Sequence, residues 1–472
     1  MLRRCCFMLA LLCLLGNVLP VAAQDATGTS DKDKGGFLIV RSVIITGNKK
    51  TRTSIILREI NTVPGDTIYL KDLAETLEKH RKQILNTSLF LNVTANVKNW
   101  SGEEADLVFD VWERWYTIAM PIFKLADRNF NQWWVEQGHS LSRVNIGVRG
   151  TQGNLTGRND ALNAAIQFGY TQRLQLQYSV PYIDKSYKHG LGVLFSYSRN
   201  HEVNDSTSFN KQVFFKQDDY VRQIYTAGLS YSYRPGINTR HQVFLNYNYE
   251  RVADSVAILN PNYLGNGRTS VNYIDLIYRI NYIHADSWVY PLKGIHVLGE
   301  IGKRGLFGLN DVHDVHIRLN VAKYWQVYKK TFFAMGIRSL VKFGADQPYM
   351  NKQAIGYNDD YLRGLEYYVV DGTSFAILKA TARQEVFSTR FKLPIVPKKF
   401  AYVPLRLFLK IYGDTGYSYD KFPGNGVLSN RMLYSGGFGM DIVSFYDTCL
   451  RIEYSFNQLG QKGLFLHASI DM

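Results

Sequence analysis

The stretch LNAAIQFGYTQRLQLQYSV, residues 162–180, alternates with a period of two through two successive segments. Leu162, Ala164, Ile166, Phe168 and Tyr170 fall on one face, and Asn163, Ala165, Gln167 and Gly169 on the other. Beyond Thr171 the pattern resumes, with Leu174, Leu176, Tyr178 and Val180 opposite Arg173, Gln175, Gln177 and Ser179. Successive side chains of a strand point to opposite faces, so each segment reads as a strand with one apolar and one polar face. A soluble β-sandwich alternates too, but its strands run about 5–6 residues. Segments of about ten residues or more can cross a bilayer as tilted strands.

The pattern recurs to the end of the chain. Val243, Leu245, Tyr247 and Tyr249 oppose Gln242, Asn246, Asn248 and Glu250, and Leu450, Ile452, Tyr454 and Phe456 oppose Arg451, Glu453, Ser455 and Asn457. Lipid offers the backbone no hydrogen-bond partner, so such a sheet must close on itself. The alternation predicts strands at 116–124, 143–150, 159–170, 172–182, 189–199, 220–234, 239–252, 271–285, 293–304, 312–327, 330–343, 374–387, 402–415, 433–443, 447–457 and 463–471. That is about sixteen, an even number as single-chain bacterial barrels require. Tyrosines gather near the strand ends, as in an interfacial girdle. Residues 344–373 make the longest late loop, with 200–219 and 253–270 as further candidates for extracellular loops.

Composition agrees. Of 472 residues, 46% are hydrophobic, 20% charged and 14% aromatic. The mean hydropathy is -0.18, too polar for a bundle of transmembrane helices, and the aromatic content excludes a disordered chain. Met1–Ala23 has a basic start at Arg3 and Arg4, a short apolar stretch from Phe7 to Leu15 and a small-residue exit at Val21-Ala22-Ala23. It reads as a secretory leader cleaved before Gln24. Cys5, Cys6 and Cys13 would leave with it, so Cys449 alone remains and no internal disulfide forms. A formal net charge of +15 on an exported chain favours anionic lipid head groups, lipopolysaccharide among them, over nucleic acid.

Residues 24–36 read as a polar linker, and 37–115 change period. Leu38, Val40, Val43 and Ile45 suggest a strand. Ile55, Ile56 and Ile60, then Leu70, Leu73, Leu77 and Ile84, carry helical spacing, and Leu89–Val97 and Asp106–Trp112 alternate. The order is β-α-α-β-β, a small α+β domain ahead of an all-β transmembrane barrel over 116–472. With an even strand count both barrel ends lie on one side, which puts the small domain in the periplasm of a bacterial outer-membrane protein.

At this point the residues resemble the BamA/TamA-type outer-membrane assembly and translocation superfamily. Ile45-Thr46-Gly47-Asn48, Gly65-Asp66 and Asn86 through Val93 follow the turns of a POTRA module in order. Asn154-Leu155-Thr156-Gly157-Arg158 is similar to the family's Asn-Leu-x-Gly-Arg turn, and Asp286 through Pro291 to Gly294 to its Asp-x4-Pro-x2-Gly strand start. Leu362-Arg363-Gly364-Leu365, in the long loop, resembles the Arg-Gly-aromatic motif that folds back into the barrel, with Leu365 in place of the aromatic. The resemblance implies that Arg363 meets acidic residues on the following strands, at the positions of Glu385 and Asp414. A guanidinium suits that role because it grips a carboxylate with two parallel hydrogen bonds, and Gly364 permits a tight turn. The last strand, from Gly463, ends in Asp471-Met472 where the family usually has an aromatic.

Enzyme motifs are lacking. There is no Gly-x-Ser-x-Gly and no Gly-x4-Gly-Lys. His313 and His316, three apart on a strand, face opposite sides and cannot share a metal. Glu250, Glu300 and Glu453 read as charges lining a wet lumen. No catalytic residue, metal site or cofactor is expected. The resemblance implies a barrel that assists insertion or translocation of unfolded outer-membrane or secreted clients, with accessory lipoproteins as possible partners. A single POTRA module points to an accessory or specialised member. A passive channel or structural barrel, and a translocator for one dedicated passenger, are the competing readings.

Overall fold

The computed structural model describes residues 36–127, 132–184, 186–344, 347–392, 402–444 and 449–467. The leader at 1–23, nearly all of the 24–36 linker and the Asp471-Met472 end lie outside them.

The first module consists of β1 (Phe37–Thr46), α1 (Thr53–Leu57), β2 (Thr67–Tyr69), α2 (Leu70–Asn86), β3 (Phe90–Ser101) and β4 (Glu104–Glu113). Its sheet runs β2-β1-β4-β3, with β1 parallel to β4. The expected β-α-α-β-β order lacked β2. With three residues, and only Ile68 buried, that strand is too short to show alternation. Leu38, Val40, Ile55, Ile56, Ile84, Phe90, Leu107 and Phe109 fill the core. Leu73 and Leu77 pack against it, whereas Leu70, at the helix start, is exposed. The Asp106 carboxylate pins the register of three strands. It accepts from Arg41 Nε (3.0 Å) and Nη2 (2.6 Å), Asn99 Nδ2 (2.7 Å) and Ser42 Oγ (2.7 Å). These donors, the Arg41 fork first, hold its pKa well below the usual carboxylate range.

The wall follows. Its first strands are β5 (Thr117–Leu125), β6 (Val144–Gly153), β7 (Ala161–Gly169), β8 (Thr171–Val180) and β9 (His189–Asn200). A separate hairpin, β10 (Glu202–Ser208) and β11 (Lys211–Lys216), occupies the 200–219 loop. The wall resumes with β12 (Arg222–Tyr233), β13 (Thr239–Val252), β14 (Ser270–Ala285), β15 (Gly294–Leu306), β16 (Leu309–Tyr328) and β17 (Thr331–Phe343), with a short helix α3 (Asp254–Leu259) after β13. The long loop carries β18 (Gln353–Ile355) and β19 (Val370–Asp371). The last wall strands are β20 (Ser374–Lys392), β21 (Tyr402–Tyr419), β22 (Met432–Val443), β23 (Cys449–Asn457) and β24 (Lys462–His467). Sixteen of these form one antiparallel sheet in chain order, with β5 and β24 as its outer members. No helix among the described residues is long and apolar enough to cross a membrane.

The sheet is a soluble protein turned inside out. Ile166, Phe168, Leu174, Leu176, Leu229, Leu245, Ile411 and Leu450 are exposed, while Lys379, Arg383, Lys410, Asp414, Asp441, Arg451 and Glu453 are buried. In water the apolar side chains would be inside and charges almost never fully buried. In lipid the order reverses, and the polar faces line the lumen of a transmembrane barrel.

The turns of one rim hold the module. Arg234 grips Glu59 through Nη1 (2.7 Å) and Nη2 (3.0 Å), and its Nη1 also donates to Tyr182 Oη (2.8 Å). Tyr182 is buried in the module's own core, and the Arg58 guanidinium lies 4.9 Å from its ring centre. The Asn-Leu-Thr-Gly-Arg turn is part of this joint. Asn154 Nδ2 donates to Thr51 Oγ1 (2.8 Å), and Arg52 N donates to Gly157 O (3.0 Å). Gly157 has φ +80, and a Cβ there would collide with Lys50 O, so only glycine fits. At the linking point Tyr116 hydrogen-bonds Thr51 Oγ1 (2.8 Å) and Leu89 O (3.2 Å), and burial pushes its pKa up to about 12. On the opposite rim, buried Asn210 joins three loops. Its Nδ2 donates to Val369 O (3.0 Å), and its Oδ1 accepts from Val427 N (2.7 Å) and Leu428 N (3.0 Å).

Asp106 gives a pH test. Its folded pKa lies below the ordinary 3.8, so its contribution is fully present above that value and fades as pH falls through the lower one. Asp106→Asn is expected to lower hydrogen-exchange protection of β1 and β4 at neutral pH. The gap to the parent protein should narrow only below about pH 4.

Candidate functional site: a loop tip clamped in the lumen

The loop of residues 344–373 turns back into the barrel, and its tip is apolar on both sides of one charge. Leu362 and Leu365 are buried with Ile355, Phe375, Ile377 and Leu433. Leu365, where an aromatic was the family pattern, thus packs into a mixed aliphatic and aromatic cluster. Between them Arg363 is 5% exposed. Its backbone N and its Nε both donate to Asp414 Oδ2 (3.0 and 2.8 Å), and Nη2 donates to Asp414 Oδ1. Nη1 donates to Thr381 Oγ1 (3.0 Å) and Nη2 to Ala380 O (3.3 Å). The guanidinium lies 4.0 Å from the ring centre of Tyr412, within cation–π range. Thr381 and Ala380 belong to β20, Tyr412 and Asp414 to β21.

Gly364 has φ +85, and a Cβ there would come within 2.7 Å of Ser455 Cβ. Its carbonyl accepts from Asn457 Nδ2 (2.7 Å). Both the backbone conformation and the close approach to β23 require glycine at this position.

Glu385, expected beside Arg363, is elsewhere. Its carboxylate accepts from Arg406 Nη2 on the neighbouring strand. Glu385 sits four residues beyond Thr381 on β20, roughly 13 Å at about 3.3 Å per residue. The second acid near the tip is Glu453, 3.9 Å from Arg363 Nη1. Alternation had placed Glu453 in the lumen without a role. Only the strand order, which sets β23 beside β22 and β22 beside β21, brings it within reach.

A second knot of charge lies one level further along the wall. Asp441 accepts from Lys410 Nζ and from Tyr290 Oη (2.7 Å), with Arg451 Nε and Arg383 Nε at 3.6 and 3.7 Å. Lys410 Nζ also lies 2.7 Å from Glu453 Oε1. Tyr290 comes from the Asp286–Gly294 segment, whose Asp286 Oδ1 accepts from Leu292 N (2.9 Å) and Lys293 N (3.1 Å). That motif therefore folds a turn into the lumen from the module's side. The turn and the long loop meet the same wall, β20–β23, from opposite ends. Buried charges persist only when paired, and here the pairing fixes both inserts. The geometry is that of a clamp.

An inside-out sixteen-strand sheet with an arginine-tipped lumenal loop and a small α+β module defines a transmembrane β-barrel of the module-plus-barrel class. Residues 38–114 match the POTRA family, described as surface antigen variable number repeat, and residues 154–375 match the Omp85 superfamily domain. The POTRA and Omp85 domains together mark an Omp85-family outer-membrane protein. Its fold is similar to that of BamA from Haemophilus ducreyi lacking POTRA domains 1-3, with a TM-score of 0.53 at 14% identity over 91% of this chain and 83% of that one. CdiB from Acinetobacter baumannii gives 0.50 at 11% identity, over 92% and 73%. CdiB from Escherichia coli gives 0.50 at 8% identity, over 94% and 92%. No curated protein sequence matches the chain.

Removing the clamp should be costly. Arg363→Ala leaves Asp414 buried without its counter-charge, an expected loss of about 3–5 kcal/mol. Arg363→Lys should recover little of it, because an ammonium cannot form the fork. Thermal unfolding in detergent, read by gel mobility, and protease cleavage within 344–373 report the two effects.

Proposed function

We propose that this protein is an outer-membrane factor that assists the insertion or translocation of other proteins, with residues 37–115 as its periplasmic module and 116–472 as its barrel. The observation that carries this reading is the filled lumen. A passive pore needs an open path, and here the Arg363 tip is held in the lumen by a buried ion pair with Asp414 and the Tyr290 turn by a hydrogen bond to Asp441. The module suits capture of an unfolded client. Its sheet ends in β2 and β3, and β3 is the long free edge at twelve residues. An extended client segment would add to that edge by main-chain hydrogen bonding. The grip of Arg234 on Glu59 would hold the captured strand beneath the barrel rim. Anionic lipid, lipopolysaccharide and accessory lipoproteins are proposed partners of the basic chain.

The yielding point would be the junction of β5 and β24, the outer members of the sheet. Pro121 supports this. Gly153 N donates to Tyr116 O, and Ala126 N donates to Arg143 O. In an antiparallel pair the bonds alternate along the strand, so the even-numbered residues of β5 bond to β6. The odd-numbered ones, Pro121 among them, face the free edge. A proline there removes one donor from the junction.

Three measurements test the proposal. Depletion of the protein should lower the abundance of specific barrel or surface proteins in the outer membrane, and an unchanged outer-membrane proteome would reject the assembly reading. High planar-bilayer conductance that Arg363→Ala left unaltered would favour a passive channel instead. Pro121→Ala, which restores the missing donor, should slow client handling while raising barrel stability, scored by pulse-chase of whichever client the depletion reveals.

A further inference from the structure

Three cations gather where the module meets the wall, at the rim of β5–β7. Two stretches of backbone touch there. Arg52 N donates to Gly157 O, and a Cβ on Gly157 would collide with Lys50 O and lie 3.5 Å from Arg52 Cγ. Lys50, Arg52 and Arg158 are therefore neighbours, the first two exposed and the third half-buried. The Lys50 ammonium lies 5.8 Å from the ring centre of Tyr116. None of the three side chains is hydrogen-bonded or ion-paired among the described residues. The acids beside them are committed elsewhere. Glu113 Oε1 accepts from Lys50 N (2.9 Å) and Thr51 N (2.6 Å), and Asp160 accepts from Thr156 N (2.8 Å) and Tyr178 Oη (3.0 Å). With Lys49 adjoining, four cations face two acids that backbone and hydroxyl donors already occupy.

The same place borders lipid. Tyr178 shares the outward face of β8 with the exposed Leu174 and Leu176, so its bond to Asp160 ties this turn to the lipid side of the wall. Trp115 stands two residues before Thr117, the first residue of β5, and is 66% exposed. Two residues of strand span roughly 7 Å, and the head-group layer on one side of a bilayer is about 5–8 Å deep. Tryptophan is enriched at that level, with its ring among the head groups.

We propose that Lys50, Arg52 and Arg158, with Trp115, form a docking site for the head group of an anionic phospholipid in the leaflet on the module's side, and that the bound lipid fastens the module to the wall beside β5. That this leaflet is the periplasmic one, made of phospholipid, rests on the preceding reading of the module as periplasmic; the charge and position of the site do not. A phosphodiester accepts the paired N–H bonds of a guanidinium, and the adjacent ammonium adds attraction without direction. The module then has two fastenings. Arg234 and Glu59 hold it at the end of β12 by a contact within the protein, and the second, at β5–β7, works only in a membrane that supplies negative charge.

The test places the full-length protein in nanodiscs of phosphatidylethanolamine with either phosphatidylglycerol or phosphatidylcholine as the minor lipid. Hydrogen exchange of residues 46–53 and 110–116 should be slower in the phosphatidylglycerol discs. Native mass spectrometry should show phosphatidylglycerol retained in preference to phosphatidylcholine. Lys50→Gln, Arg52→Gln and Arg158→Gln should each cut that preference about fivefold. Trp115→Ala should lower protection equally in both lipids. Each of the three Gln variants removes a side chain with no hydrogen bond, so the heat-dependent gel shift of the folded barrel should persist; the single variants carry the test if the triple one does not fold. Equal protection in the two lipids would overturn the proposal, with or without a retained phosphatidylglycerol. So would a preference that survives the triple variant. Both faces of a nanodisc carry the same lipid and no client is used, so the result is independent of which side is periplasmic and of the assembly function.

Discussion

A peptide group in hydrocarbon has nothing to bond to except another peptide group. Everything else in this structure follows from that constraint. The strands must be long enough to span the membrane and must pair along their whole length. Their outward side chains must be apolar, as Ile166, Leu245 and Leu450 are. The polar half of the sequence is then confined to a narrow interior. There Lys410, Arg451, Asp441 and Glu453 meet at distances that a soluble protein would spread over its surface. The ion pairs are thus a by-product of how the outside is satisfied, and the chain uses them to hold two inserted segments.

The inserts differ in how they are held. The Tyr290 turn reaches the wall with a neutral hydroxyl that donates to Asp441, backed by its ring against Phe408 at 5.0 Å. The loop tip brings a full charge, and Asp414 answers it with both oxygens. A charged anchor is stiff in direction and strongly penalised when broken, whereas a ring and a hydroxyl tolerate small displacements. The two ends of the lumen are therefore closed by contacts of unequal rigidity, with the stiffer one on the loop that also touches β23 and β24.

Much of this was legible in the sequence because period-two alternation survives wherever one face meets lipid. All sixteen wall strands fall close to where Leu, Tyr and Phe recur at every second residue. What failed to show had specific physical causes. β2 has three residues, fewer than a period needs to declare itself. The β10–β11 hairpin stands off the wall with polar residues such as Asn204, Asp205 and Ser206 along it, and so reads as a loop. The family resemblance implied both Asp414 and Glu385 as partners of Arg363, and only Asp414 is in contact with it. Alternation fixes which face a residue occupies and leaves its height along the strand open, and height is what separates Glu385 from Glu453. The pairing of Asn154 with Thr51, 103 residues apart, has no local signature at all, although Gly157 within the same motif marks a place where backbones come close.

Asn210 carries a consequence for the order in which the molecule is completed. Its three partners lie 159, 217 and 218 residues further along the chain. Closing loops of that length costs entropy before any contact repays it, and such contacts form late. Until residues 427 and 428 are in place, the buried amide oxygen of Asn210 has neither of its main-chain partners from the β21–β22 loop. The hairpin that carries it must wait while the wall as far as β21 is built. The rim away from the module is in this sense a keystone: it locks only once the wall up to β21 stands beneath it.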